Sequence, residues 1–196
     1  MPAHLPETMA AVLLTGHGGM DKLDYREDVP VPRPGAGEVL IRVAAAGVNN
    51  TDINTRIGWY SKSVRGDTHT GSTSGFEEAE TADATWSGVP LGFPRIQGTD
   101  CCGRIVAVRD GVDPARIGDR VRVRVRVRVR VRVRVRVRNM LRAPVDFRPF
   151  ECWSLGSECD GGFAQYTKAP AADTWTVDCD WSDSDLVSIP CAWSTA

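Results

Sequence analysis

The chain reads as a mainly β domain, β-rich α+β in class, on three observations. Its apolar runs are short and strand-like, and 19 glycines and 12 prolines punctuate them. Helical signals are confined to two brief stretches. The hydrophobic fraction of 42% over 196 residues is enough for one core. Short strands at this spacing suit a small barrel or sandwich.

The elements follow in order. Met9 to Thr15 is apolar and stops at Gly16-His17-Gly18-Gly19, a strand running into a turn. Leu23 to Val29 alternates less cleanly and leads into Pro30, Pro32 and Pro34. Pro34 to Glu38 is a tight turn that feeds Val39 to Gly47, an almost wholly apolar strand expected to be buried. Gly35 and Gly37 do not form a dinucleotide fingerprint, because the third glycine is missing and the order is turn, then strand. Thr51 to Ile57 predicts a short helical turn capped by Asn50 or Thr51. Ser61 to Gly88 shifts to Ser, Thr, Gly, Asp and Glu, the composition of a long, partly disordered surface loop.

Gly98 to Val108 returns to strand character, and Gly118-Asp119-Arg120-Val121 opens another strand. Asn139 to Asp160 is irregular. Gly161 to Tyr166 and Thr174 to Val177 predict two more strands. Ser182-Asp183-Ser184-Asp185-Leu186 carries a helix start, a serine cap with acids in the first turn.

Nine Val-Arg pairs from Val121 to Arg138 stand apart from this pattern. In an extended strand the valines face one side and the arginines the other. Eighteen residues would span about 60 Å, too long for a small domain to bury. Repeat expansion of a short strand is the plain reading; an amphipathic strand that contacts polyanions is the alternative. Arg120 to Arg138 holds 10 of the 24 basic residues and no acid, so the rest carries 14 basic against 25 acidic residues. An acidic body argues against a natural nucleic-acid partner. No run approaches the roughly 18 apolar residues of a membrane span, and the start lacks a secretion signal. Six cysteines without a C-x-x-C pair are expected to be reduced thiols in the cytoplasm. Cys101 and Cys102 read as packing residues, and His17 as turn surface. His4 and His69 fall in stretches expected to lack order. Trp153, Trp175, Trp181 and Trp193 are expected to cover the open side of the sheet.

Four segments, in this order, resemble the N-terminal catalytic domain of the medium-chain dehydrogenase/reductases, the alcohol dehydrogenase and quinone oxidoreductase superfamily. They are Pro34 to Val43 continued by Ala46-Gly47-Val48-Asn49; Gly98 to Val108; Gly118 to Val121; and Gly161 to Tyr166. The resemblance implies a GroES-like, partly open β-barrel over residues 9–190, with the acidic loop 61–88 and the Val-Arg insertion 121–138. Residues 191–196 would begin the connection to a cofactor domain. No Rossmann fingerprint occurs, so that domain is expected to be absent and the chain alone inactive.

The resemblance also implies roles. Zinc members place a cysteine at the position of Asn49 and a histidine in a Gly-His-Glu run that here reads Gly98-Thr99-Asp100. Two metal ligands are therefore missing, and no zinc is expected. Cys152 and Cys159 are too few for a four-cysteine zinc lobe. The pattern Asn49-x-x-Asp52-x-x-x-Arg56-x-Gly58 is similar to the zinc-independent quinone oxidoreductases, although the tyrosine usual two residues after the aspartate is Asn54. Asn49, Thr51 and Asp52 are the implied catalytic residues. Asn49 and Thr51 would hydrogen-bond a carbonyl or quinone oxygen and Asp52 would orient them. NADP or NAD is the implied cofactor, a small carbonyl or quinone the substrate, and a homodimer the implied full-length assembly. Loop 61–88 follows the active-site turn directly and would act as a lid.

Overall fold

The structure is a computed structural model and describes residues 5–85, 89–123, 126–128 and 151–189. Its strands are β1 (Thr8–Leu14), β2 (Leu23–Pro30), β3 (Glu38–Gly47), β4 (Arg95–Ile96), β5 (Asp100–Val108), β6 (Arg120–Val123), β7 (Arg126–Arg128), β8 (Glu151–Trp153), β9 (Tyr166–Pro170) and β10 (Thr174–Thr176). Two short helices, α1 (Asn50–Ile57) and α2 (Asp183–Val187), complete it. The mainly β expectation holds.

Five strands form an antiparallel sheet in the order β10-β6-β5-β3-β9, and β2-β1-β4 form a second. The segment before β9 joins them. Ala164 bridges Ala11, Val12 N–H donates to the Phe163 carbonyl at 2.9 Å, and Gln165 N–H donates to Ala10 at 3.0 Å. The result is a curled, partly open barrel. Its core gathers Val39, Ile41, Cys101, Ile105, Val121 and Val123, all 1% exposed or less. Each such side chain contributes about 1.5–3 kcal/mol by leaving water. The first Val-Arg residues obey their alternation, with Val121 and Val123 inward and Arg122 half-buried. Residues 129–138 of the repeat lie outside the described residues.

α2 forms as the serine cap predicts, with Ser182 Oγ accepting from Asp185 N–H at 3.1 Å. It lays Leu186 and Val187 over Cys102, and Arg120 clamps it through Asp183 at 2.7 Å. Gly103 lies where β3 and β5 approach most closely: a methyl group there would overlap the Arg42 carbonyl oxygen.

Four expectations need correction. The strand foreseen from Gly161 begins only at Tyr166, because residues 161–163 turn their N–H groups onto residues 96–98. The cap of α1 is Asn49, one residue earlier than foreseen. Trp175 and Trp181 are 50% and 56% exposed rather than covering the barrel; the side chain of Trp153, and Trp193, lie outside the described residues. His17 is half-buried rather than turn surface. Its Nδ1 sits 3.0 Å from the Thr55 carbonyl oxygen, its ring meets Phe93 edge-on at 5.1 Å, and its buried Nε2 has no partner among the described residues.

Residues 61–85 are largely exposed, with Ser61, Phe76, Ala84 and Thr85 buried, and they are fastened to the C-terminal end of α1. Phe76 N–H donates to the Ile57 carbonyl at 3.0 Å and Arg56 Nη2 to Ser72 at 3.3 Å.

Two outcomes are expected. Gly103→Ala lowers stability in urea unfolding by about 3 kcal/mol, the upper part of the overpacking range, whereas Gly92→Ala, with open space around it, is neutral within about 0.5 kcal/mol. Burial holds the His17 imidazole below its ordinary value despite hydrogen bonds to the Thr55 and Arg56 backbone. The unfolded chain therefore takes up this proton first, below about pH 6.5. Stability from this group is complete above that pH and is lost as pH falls toward the folded-state value. The Tm drop between pH 7.5 and 5.5 should be smaller in His17→Gln than in the parent; an equal drop would refute the assignment.

Candidate active site

The site grows from two neighbouring strand ends. β3 finishes at Gly47, which pairs with Asp100 at the start of β5. The chain leaves β3 through the exposed Val48 into Asn49 and α1, while Gln97-Gly98-Thr99 enters β5 beside it. Residues fifty apart in sequence thus meet.

Asp52 makes the joint. It is 5% exposed. One carboxylate oxygen accepts the Asn49 N–H at 2.8 Å, and the other accepts the N–H groups of Gly98 at 3.0 Å and Thr99 at 3.3 Å. Gln97, itself buried, donates its side-chain amide to the Asp52 carbonyl at 2.8 Å. Burial raises the Asp52 pKa, and the hydrogen bonds from Asn49, Gly98 and Thr99, the Thr99 side chain included, pull against that rise.

Behind this joint the Gly161-Gly162-Phe163 segment clasps the turn. Gly161, Gly162 and Phe163 donate to the carbonyls of Ile96, Gly98 and Gln97 at 2.7, 2.8 and 2.9 Å. Gly98 has φ +103°, and a Cβ there would press on the backbone nitrogens of Phe163 and Gly162. Only glycine meets both demands.

In front stand two polar arms. Asn49 Nδ2 donates to Asp100 Oδ2 at 3.3 Å, and the Thr51 and Thr99 hydroxyls are 3.3 Å apart. Asn49 and Thr51 are half-buried, while Thr99 and Asp100 are buried behind them. All three residues foreseen as catalytic, Asn49, Thr51 and Asp52, therefore come together. Asp52 reaches the Thr51 hydroxyl through Thr99. Chemically the cluster is a primary amide and two hydroxyls backed by two carboxylates, a set suited to donating hydrogen bonds to an oxygen.

Sequence reading passed over Thr99, Asp100 and Gln97 as working parts. Thr99 and Asp100 were weighed only as replaced metal ligands, and the usable signal was their place opposite Asn49 in the Gly98-Thr99-Asp100 run. Among the described residues no group of three His, Cys, Asp or Glu side chains stands ready to hold a metal ion. Cys101 and Cys102 pack inward as expected. Burial raises the Cys101 thiol, and burial with the Asp183 hydrogen bond pushes Cys102 up to about 12; neither is a nucleophile. Cys101, Cys102, Cys159 and Cys179 are free thiols.

A partly open barrel with this site at its strand ends is what the sequence resemblance implied. Residues 35–178 match the alcohol dehydrogenase GroES-like domain family, and the chain belongs to that family. The NAD(P)H oxidoreductase RTN4IP1, mitochondrial, of Dictyostelium discoideum is 32% identical over 114 residues, which are 58% of this chain and 26% of that protein. The quinone oxidoreductase of Lama guanicoe is 32% identical over 113 residues, again 58% and 26%. A crystal structure from Sinorhizobium meliloti 1021, of a protein assigned as an alcohol dehydrogenase, superposes with a TM-score of 0.68 at 41% identity. It covers 96% of this chain and 45% of that one. The chain thus aligns with about a quarter of the curated relatives' length and under half of the solved structure's.

Asp52→Asn replaces one acceptor oxygen by a donor that must face a backbone N–H. The expected cost is about 1–3 kcal/mol in urea unfolding, and an unchanged midpoint would show that the carboxylate is not the joint.

Proposed function

We propose that this domain is the substrate-side part of an NAD(P)H-dependent oxidoreductase that reduces quinones or enones without zinc. The observation that carries the reading is the meeting of Asn49, Thr51, Thr99 and Asp100 at 3.3 Å contacts. Of these, Asn49 and Thr99 stand where zinc members of the family set a cysteine and a histidine. An amide and a hydroxyl are poor zinc ligands beside thiolate and imidazole.

A nicotinamide, when bound, supplies the hydride in such enzymes. The described residues offer no cradle for it. Among the described residues every pairing between the named strands is antiparallel, and α1 and α2 span only eight and five residues, so no strand–glycine turn–helix unit exists among them. No step is therefore routed through the cofactor here. The protein's own part lies at the substrate oxygen. Reduction builds negative charge there, and the Asn49 amide and Thr51 hydroxyl donate to it. Asp100 holds the Asn49 amide in place, and the Thr99 hydroxyl links the Thr51 hydroxyl to Asp52.

Among the described residues no helix is long and apolar enough to cross a membrane.

The test titrates cyclohexenone into the chain and follows the Asn49 side-chain amide resonances, then measures NADPH oxidation by the chain co-expressed with a supplied Rossmann domain. Thr51→Val and Asn49→Ala should each lower kcat by about 10²–10³-fold with little change in fold, and a zinc chelator should leave the rate untouched. Retained activity in both variants, or loss on chelation, would end this reading.

A further inference from the structure

We infer that a row of arginines on the outer face of the five-stranded sheet is a binding site for a phosphate group. Arg42 of β3 lies directly opposite Arg104 of β5, and Arg104 directly opposite Arg120 of β6. Cross-strand partners share a face, so the three side chains rise side by side about 5 Å apart at their Cα atoms. Like charges in this arrangement repel. An anion seated on that face would relieve the repulsion.

Among the described residues one carboxylate, Asp183, serves the row, acting on Arg120 first and on Arg104 more weakly. Asp183 is 2.7 Å from Arg120, which also donates to the carbonyls of Cys179 and Trp181 at 3.1 and 2.6 Å. Arg120 is thereby neutralised and spent on holding α2. Arg104 makes one hydrogen bond, 3.0 Å to the Gly118 carbonyl. The exposed Arg42 guanidinium has no hydrogen-bond or ion-pair partner among the described residues.

Two shallow hollows flank Arg42. One of about 190 Å³ is lined by Arg42, Val43, Gln165, Tyr166 and Pro6, and one of about 270 Å³ by Arg42, Val43, Ala44, Arg104 and Asp183. Arg42 belongs to both, and Tyr166 stands opposite it on β9. The ligand seat is the Arg42–Arg104 pair, because the Asp183 carboxylate repels an anion at the far end of the larger hollow. Two planar guanidinium forks match the tetrahedral oxygens of a phosphate. The site sits outside the polar cluster around Asn49 and does not depend on the proposed reductase activity.

The experiment titrates the chain with inorganic phosphate, with AMP and with adenosine at constant ionic strength, so that general screening is held fixed. Arginine Nε–Hε resonances and Tm are read. Phosphate should shift Arg42 and Arg104 saturably in the roughly millimolar range and raise Tm. Arg42→Gln and Arg104→Gln should each weaken binding at least about fivefold, while Arg26→Gln, an exposed arginine paired with Asp28, leaves it unchanged. AMP and phosphate binding equally well identifies a free anion as the ligand, and AMP binding tighter identifies a nucleotide phosphate; both support the site. Adenosine binding as well as AMP, equal shifts with chloride alone, or unaltered phosphate affinity in the two variants would overturn it.

Discussion

One buried carboxylate holds the functional end of this barrel together. A helix begins with backbone N–H groups that have no partner inside the helix, and a strand entered through a glycine turn has the same deficit. Asp52 satisfies both at once, with Asn49 on one oxygen and Gly98 and Thr99 on the other. Hydrogen bonds of this kind are what make a carboxylate tolerable at 5% exposure. The consequence is geometric. The amide of Asn49 and the hydroxyls of Thr51 and Thr99 have their positions set by a backbone joint rather than by their own side-chain preferences.

The joint is stiffened from behind by absence of bulk. Gly98, Gly161 and Gly162 let two turns exchange three backbone hydrogen bonds at a distance that any Cβ would prevent. From there the order of layers runs outward: glycine clasp, Asp52, the buried Thr99 and Asp100, then the half-exposed Asn49 and Thr51. The valine-rich core lies to one side, and α2 with its Arg120–Asp183 pair closes another. Groups that must not move are buried, and the two that would touch a ligand are accessible.

Much of this was legible in the residues. Apolar runs bounded by glycine and proline located β1, β3, β5, β6 and β10, and the serine cap located α2, because each signal is local. What failed was set by distant partners. Gly161-Gly162 looks like the start of a strand until residues 96–98 claim its N–H groups. His17 sits among glycines that advertise a surface turn, and only the arrival of Thr55 and Phe93 buries it. Asn49 was read as a ligand-facing residue, so its second task as helix cap was missed. Thr99 was weighed as a lost metal ligand, and its contact with Thr51 spans 48 positions that no local pattern encodes.

The donor set also bears on which substrates suit the proposed chemistry. A Lewis-acid metal stabilises a full alkoxide charge by several kcal/mol in one contact. Neutral amide and hydroxyl donors contribute less to a localised charge, and they do so through directed hydrogen bonds. Substrates whose reduction spreads charge over a conjugated system need less help at the oxygen. An enone or quinone places part of the developing charge on carbon or on a second oxygen, whereas a simple ketone concentrates it. On the proposed reading, the same exchange of ligands for hydrogen-bond donors would weaken zinc binding and favour conjugated carbonyls over simple ones, both through Asn49 and Thr99 at two adjoining strand ends.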